Sequence, residues 1–268
     1  MKTILITGST DGVGKLTAIK LAESGHQILL HGRNFEKLQN TISEIKEKTN
    51  NDKVYGFVSD LSDFNSIKQM IVDISNKFSS IDVLINNAGV FKSPVTQNSD
   101  NLDMRFTVNY FAPYILTNGL LKILKNSNSS RILNLSTAAQ STVSIEALKG
   151  NEIISSNIAY AQSKLALTMW SFVFAKVNPS ITTIAVNPGS LLNTNMVKEA
   201  YGQYWSSADK GVAILYELAL SGMYKESTGK YFDNDNGIFS KAHNDAYNEE
   251  KINQLITETD KILNEYLF

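Results

Sequence analysis

Apolar residues along this chain fall into two alternating rhythms. Short runs rich in Val, Ile and Leu stand at residues 3–6, 27–30, 54–58, 83–85, 131–135 and 182–186, with a weaker run at 229–232. Between them, apolar positions return at helical spacing over 13–24, 35–48, 63–77, 99–124, 158–177 and 208–220. Strand-length runs that are apolar throughout suit strands covered on both faces. Their alternation with helical patterns predicts an α/β fold, a doubly wound parallel sheet with helices on both faces. Ile252, Leu255, Ile256, Ile262 and Leu263 keep helical spacing within 243–266, which predicts a last helix packed on the body or on a partner. No repeat or low-complexity linker interrupts the pattern, so a single domain is expected over 1–268.

Two long segments, 137–157 and 189–207, leave the carboxyl ends of strands five and six. Ligands bind at those ends in a doubly wound sheet, so both segments are candidate substrate loops. The second carries Leu191, Leu192, Met196, Tyr201, Tyr204 and Trp205. Such a set fits a lid over a hydrophobic substrate, and equally a short helix packed on the body.

Candidate chemistry begins directly after the first strand. Gly8, Ser9, Thr10, Asp11, Gly12, Val13 and Gly14 lie between an apolar run and an amphipathic stretch. This reads as strand, glycine turn, helix, a place where a pyrophosphate can approach a helix N-terminus. The spacing is Gly-x-x-x-Gly-x-Gly, which differs from the commoner dinucleotide fingerprint. It also fails as a phosphate-binding P-loop, because Leu16 stands where that motif needs Ser or Thr. A plain strand-to-helix turn is the alternative. Further along, Tyr160 and Lys164 stand four residues apart, which on a helix sets them on one face, one turn apart. A cation beside a phenol favours phenolate, so the pair can hand over or accept a proton.

TGSTDGVG at 7–14, NNAG at 86–89, Ser136, YAQSK at 160–164 and NPG at 187–189 occur in one order that resembles the short-chain dehydrogenase/reductase family. The resemblance covers roughly residues 1–235 and fits the compact single-domain branch. It implies a Rossmann-type, nucleotide-binding fold and an oxidoreductase. Residues 8–14 would hold the cofactor, with Asp60 and Leu61 after strand three and Asn87, Ala88 and Gly89 after strand four. Tyr160, Lys164, Pro188, Gly189, Leu191 and Thr194 would complete the cofactor contacts. The implied catalytic set is Asn109, Ser136, Tyr160 and Lys164. Tyr160 would supply the proton and Ser136 would hydrogen-bond the same substrate oxygen. Lys164 would stabilise the phenolate and contact the nicotinamide ribose, and Asn109 would hold a water linking Lys164 to solvent. Residues 110–124 and 165–177 are apolar over more than one stripe. By resemblance, paired subunits would form a four-helix bundle there, giving a homodimer or homotetramer; cover by the last helix is the alternative.

Cofactor choice is written at the end of strand two. An enzyme for NAD usually places a carboxylate here to hold the ribose hydroxyls. This chain has Gly32, followed by Arg33 and Asn34. A guanidinium suits a phosphate, so NADP (as NADPH) is expected, with Arg33 at its 2′-phosphate and Asn34 among the cofactor-binding residues.

Two departures from the family pattern stand out. Twenty-three residues separate Ser136 from Tyr160, a spacing that resembles the retinol-dehydrogenase-like subgroup. In the run from Pro188 to Thr194 the threonine arrives one residue late, and Asn193 occupies its usual place. Which of the two contacts the nicotinamide stays open.

The bulk properties exclude some partners. A net charge of −1 gives no strong pull toward nucleic acid or an anionic membrane. Zero cysteines removes disulfide and thiolate chemistry. No metal-ligand set stands out, no apolar run approaches a membrane span, and the first strand begins too early for a signal peptide, so a cytoplasmic location is expected. The function that emerges is an NADP-dependent oxidoreductase moving hydride between nicotinamide and a small-molecule carbonyl or alcohol. A non-redox nucleotide-dependent enzyme of epimerase or dehydratase type, and a non-catalytic NADP-sensing protein, are the other classes.

Overall fold

In a computed structural model that describes residues 1–267, apart from the side chains of residues 200 and 201, eight strands form one sheet. Tyr201, counted above among the lid aromatics, therefore has its side chain outside the described residues. The strands are β1 (Thr3–Ile6), β2 (Gln27–Gly32), β3 (Val54–Val58), β4 (Val83–Asn86), β5 (Arg131–Leu135), β6 (Thr182–Asn187), β7 (Lys230–Asp233) and β8 (Ile238–Ser240). Their order is β3-β2-β1-β4-β5-β6-β7-β8, and only the β7–β8 pairing is antiparallel. The chain winds outward from β1 in one direction and resumes from β4 in the other. The carboxyl ends of β1 and β4 thus meet at the topological switch point, where such sheets open a crevice.

Side-chain alternation on the strands feeds two separate cores. Leu5, Leu29, Leu84 and Ile132 point into one, with α3 (Phe64–Lys77), α5 (Ala112–Gly119) and α8 (Ser156–Val177). Ile4, Ile6, Leu30, Ile85 and Leu133 point into the other, under α1 (Gly12–Glu23), α2 (Phe35–Thr49) and α10 (Ala208–Leu220). A strand's period of two permits this division only where both faces are covered, which is what the uniformly apolar runs require.

The pattern over 99–124 resolves into shorter pieces. Asp103 caps the start by accepting from Arg105 N, so α4 begins at Met104 and spans Met104–Phe106. A π turn follows over Thr107–Phe111, then α5 and α6 (Leu121–Lys125). Strand β8 has no counterpart in the apolar pattern, because it is three residues long and half open to solvent. Its signal is the Asp235-Asn236-Gly237 turn, with Gly237 at φ +70° closing a hairpin onto β7. The remaining helices are α7 (Ile145–Leu148), α9 (Asn195–Tyr201) and α11 (Glu249–Ile262).

Helix α11 packs on the chain's own body. Leu255 and Thr259 are fully buried. Thr259 Oγ1 lies 2.8 Å from Tyr110 Oη, and Tyr114 Oη donates to Asp260 Oδ1 at 2.6 Å. Tyr114 in turn stacks on Trp170, and Trp170 on Phe174, so the second apolar side of α5 and α8 faces α11. Truncating a fully buried leucine removes transfer energy and leaves a cavity. Leu255→Ala is expected to lower the unfolding free energy by about 2–4 kcal/mol in urea titrations; a loss below about 1 kcal/mol would mean that α11 is docked loosely.

Candidate active site

The carboxyl ends of β1, β4, β5 and β6 open into a cleft of about 1120 Å³. Its floor is a clasp between the glycine turn and the segment after β4. Thr7 Oγ1 accepts from the backbone N–H groups of Asn87 and Ala88, both at 3.0 Å. Asn87 Nδ2 donates to the carbonyls of Thr7 and Gly8 at 2.8 and 3.0 Å. Contact is so close that a Cβ at Gly14 would sit 2.3 Å from Asn87 Nδ2 and 2.5 Å from Gly8 O. Gly8 itself adopts φ +62°, and a Cβ there would meet Ala88 Cα at 2.9 Å. These glycines therefore answer to packing as well as to ligand approach. Asp11 caps α1, accepting from Gly12 N at 2.7 Å.

His31 is a site residue the sequence pattern does not single out. Its Nδ1 accepts from Gly8 N at 3.0 Å, which leaves the proton on Nε2, 3.0 Å from the carbonyl of Ser59. Burial pushes its pKa down to about 4, so it stays neutral and braces the turn against the end of β3. A polar residue inside the apolar run of β2 is the signal that could have found it. Ser9 is fully buried: its Oγ accepts from His31 N at 2.9 Å, and its side chain does not line the cleft.

Beside the cleft lies a smaller basic cavity of about 610 Å³, lined by Thr10, Lys15, Arg33, Asn34, Lys37 and neighbours. Lys15 is paired with Glu44 at 2.5 Å and Lys37 with Asp11 at 3.0 Å. Arg33 is exposed, lines both cavities and makes no ion pair among the described residues. Asn34 caps α2, accepting from Lys37 N at 2.8 Å. A Cβ at Gly32 would lie 2.6 Å from Thr10 Cγ2, so a side chain at that position would have to displace the Thr10 methyl. Asp60 and Leu61 line the main cleft on the same side.

The other end of the cleft carries the proton chemistry. Ser155 caps α8 and sets the turn that presents Tyr160 and Lys164. Lys164 Nζ is buried, donates to Leu135 O at 2.6 Å, and lies 5.8 Å from the centre of the Tyr160 ring. Burial lowers its pKa from 10.5 to about 8. The Tyr160 ring packs on Phe91, with centroids 5.0 Å apart. Ser136 follows β5 directly and lines the cleft. Asn109 sits in the π turn, a helix distortion common at functional sites. Its side chain does not face the cleft. Oδ1 accepts from Val90 N at 2.7 Å, while Nδ2 donates to Val90 O and to Ser163 Oγ, each at 3.0 Å. It thus fixes the strip of backbone beside Gly89, where an added Cβ would lie 3.5 Å from Lys164 Nζ.

Residues 189–207 run along the cleft as a flap, and several of them line it. The carbonyl of Leu191, held at φ +47°, accepts from Trp205 N at 3.0 Å, and Asn193 N donates to Ser206 O at 2.8 Å. Thr194 caps α9 and lines the cleft; Asn193 does not. Asn195 Nδ2 reaches Asp11 at 2.8 Å, and Lys92 Nζ donates to Glu199 O at 2.6 Å, so both sides of the flap are tethered. Asp235 of the β7–β8 hairpin accepts from Ser190 N at 2.8 Å and holds the hinge beside Pro188 and Gly189. Phe91, Met104, Val108, Leu191, Met196 and Trp205 give this end an apolar lining. From 137–157, only Thr137, Ala138 and Ala139 reach the cleft; α7 packs toward α11 instead.

A glycine turn at a switch point, with a Tyr/Lys helix facing it across one cleft, defines a nucleotide-dependent enzyme of the doubly wound α/β class. The short chain dehydrogenase family model matches residues 2–205. Polyprenol dehydrogenase of Homo sapiens is 35% identical over 210 residues, covering 75% of this chain and 63% of that protein, just under two thirds of its length. Retinol dehydrogenase 13 of Mus musculus is 30% identical over 98% of this chain and 84% of its own. Among solved structures, a short chain dehydrogenase from Escherichia coli CFT073 complexed with NADPH superposes with a TM-score of 0.72 at 25% identity, over 87% of this chain and 96% of that one. The chain belongs to the short-chain dehydrogenase/reductase family, oxidoreductases that act on alcohol and carbonyl groups with a nicotinamide cofactor. No helix among the described residues is long and apolar enough to cross a membrane.

The buried amine gives a pH signature. Between pH 8 and 10.5 the unfolded chain holds a proton on Lys164 that the folded chain does not. Stability from this group is therefore complete above 10.5 and is lost as pH falls toward 8. Buried Tyr110, Tyr114 and Tyr231 have raised pKa values and oppose it once free tyrosine ionises. Relative to Lys164→Met, the wild-type chain is expected to gain up to about 1.4 kcal/mol per pH unit from about pH 8 to pH 10 in urea titrations. A flat difference would contradict the burial argument.

Proposed function

We propose that the protein is an NADPH-dependent oxidoreductase that interconverts an elongated apolar alcohol and its aldehyde or ketone. The observation that carries this reading is the unpaired Arg33 at one end of the cleft and Tyr160 with Lys164 at the other, beside an apolar lining. The donor set fits a dinucleotide phosphate: a glycine turn at the start of α1, a free guanidinium, and Gly32 under Thr10 in place of an acid. Gly8, Thr10 to Gly14, Asp60, Leu61, Ala88, Gly89, Thr194 and Lys164 would hold it, with Ser9 and Asn87 shaping the turn from behind. The bound nicotinamide supplies or takes the hydride.

The chain's own groups manage the proton. In reduction Tyr160 Oη gives its proton to the substrate oxygen, and in oxidation it takes the proton back. The Lys164 ammonium stabilises the phenolate this leaves, and Ser136 Oγ–H donates to the substrate oxygen. Buried Phe91 and Met104, with half-buried Met196 and Leu191, make the apolar end poor in water. The names of the relatives, polyprenol and retinol dehydrogenase, support a long isoprenoid-like alcohol as the substrate class. We further propose a monomer, because α11 covers the face where paired subunits would pack.

Three measurements test this. NADPH should bind roughly ten- to a hundredfold more tightly than NADH in fluorescence titrations, and Arg33→Ala should erase most of the difference. Equal affinities, or discrimination that survives Arg33→Ala, would rule out the cofactor assignment. Tyr160→Phe should abolish most turnover in NADPH absorbance assays on a panel of long-chain aldehydes while leaving NADPH affinity intact; near-native turnover would dismiss Tyr160 as proton donor. Light scattering should return a mass near 29.7 kDa, and twice or four times that mass would mean the α11 surface does not block assembly.

A further inference from the structure

Ser136 has more hydrogen-bond neighbours behind it than a strand end requires. Its Oγ lies 2.7 Å from Thr168 Oγ1, 3.1 Å from Gln140 Nε2 and 3.2 Å from the Lys164 carbonyl. Ser136 lines the cleft, whereas neither Gln140 nor Thr168 does. A serine hydroxyl carries one proton and two lone pairs. Whether it can donate to a ligand depends on what fills those lone pairs from the other side.

Gln140 has its amide orientation dictated by its surroundings. Its Oε1 accepts from the backbone N–H of His243 at 3.1 Å, and Nε2 donates to the carbonyl of Thr137 at 3.0 Å. Reversing the amide would set N–H against N–H and carbonyl against carbonyl. The second Nε2 proton is therefore directed at Ser136 Oγ, with Thr168 Oγ1 at a longer 3.4 Å. One lone pair of Ser136 is filled.

Thr168 is fully buried and carries the remaining choice. Its proton can go to the Lys164 carbonyl, 2.9 Å away, in which case Ser136 donates back to Thr168. Alternatively it goes to Ser136, fills the second lone pair, and leaves the Ser136 proton to choose between the cleft and the Lys164 carbonyl, 3.2 Å away and already bonded within α8. The Lys164 carbonyl sits inside α8 and keeps its helical N–H partner either way. The exchange requires rotation of the two hydroxyls and no movement of the backbone.

We propose that Gln140 and Thr168 are positioning residues that fill the lone pairs of Ser136 and turn its proton toward the substrate oxygen. This rests on the reading of Ser136 given under the proposed function. Gln140→Glu tests it sharply: a carboxylate still accepts from His243 N, but it also accepts from Ser136 and turns the hydroxyl away from the cleft. Thr168→Val removes the second donor, and Thr168→Ser restores it.

The experiment measures kcat, KM and NADPH affinity for Gln140→Glu, Gln140→Leu, Thr168→Val and Thr168→Ser, each alone and combined with Ser136→Ala. The carbonyl probe is the faster of all-trans-retinal and decanal. Gln140→Glu, Gln140→Leu and Thr168→Val should each lower kcat by roughly tenfold, with KM and NADPH affinity held within about twofold. Thr168→Ser should stay near the wild type. In the Ser136→Ala background none should lower kcat further. Unchanged kcat in Gln140→Glu, or equal losses with and without Ser136, overturns the proposal while leaving the oxidoreductase reading in place. Native turnover in Ser136→Ala instead overturns the role of Ser136 itself. Should Gln140→Leu fail to fold, Gln140→Glu carries the test. Should neither aldehyde react, the proposed activity fails, and the Ser136/Gln140 cycle in unfolding free energy decides the contact, strictly additive losses overturning it.

Discussion

The clasp between Thr7 and Asn87 is the contact on which the rest of the site depends. Four hydrogen bonds tie the end of β1 to the segment after β4, two accepted by Thr7 Oγ1 and two donated by Asn87 Nδ2. A doubly wound sheet parts its connections at this point, so nothing in the ladder joins the two chain segments beyond the last paired residues. The clasp replaces the missing ladder with side-chain bonds. It fixes the floor of the cleft and brings Gly89 to the Lys164 amine. Its cost is that Asn87 is occupied before any ligand arrives.

The same economy recurs at the other buried polar residues. Ser9 Oγ accepts from the backbone N–H of His31, the His31 ring bridges Gly8 to Ser59, and Asn109 grips Val90 on both its N–H and its carbonyl. Each would be costly if left unsatisfied in so buried a position. None of the three is therefore free to rearrange when a ligand enters. Such residues build a rigid frame, and a rigid frame keeps a proton donor within hydrogen-bond reach of a reacting oxygen.

The parallel sheet is legible in the sequence because its strands are apolar at almost every position. The Tyr160/Lys164 pair is legible because helical spacing alone puts both side chains on one face. The hydrogen-bond frame is not. Periodicity reports burial, but it does not say which backbone group a buried Ser9 or Asn109 will meet. Those partners lie far away in the chain, His31 with Gly8 and Asn109 with Ser163. Resemblance supplies residue identities at 9 and 109, whereas the fold turns both side chains away from the cleft. Strand β8 escapes the pattern for another reason. Three residues, partly exposed, carry too little alternation to register, although the Asp235-Asn236-Gly237 turn marks the hairpin.

Electrostatics separates the two ends of the cleft more sharply than shape does. Three cations and two anions line its basic side, yet Lys15 is paired with Glu44 and Lys37 with Asp11. Lys92 at the flap is occupied by the Glu199 carbonyl. Among the described residues lining the two cavities, Arg33 and Lys164 are the cations that meet neither an acid nor a flap tether. They differ in their surroundings. Arg33 is exposed, and its planar guanidinium is geometrically suited to a phosphate. Lys164 is buried, and desolvation lowers its pKa to about 8, which makes its proton available for exchange near neutral pH. A carboxylate beside Lys164 would restore the ordinary ammonium and quench that sensitivity. The absence of an ion-pair partner is thus part of how the amine works, and the same burial that destabilises its charge prepares it to respond to a phenolate forming one turn away.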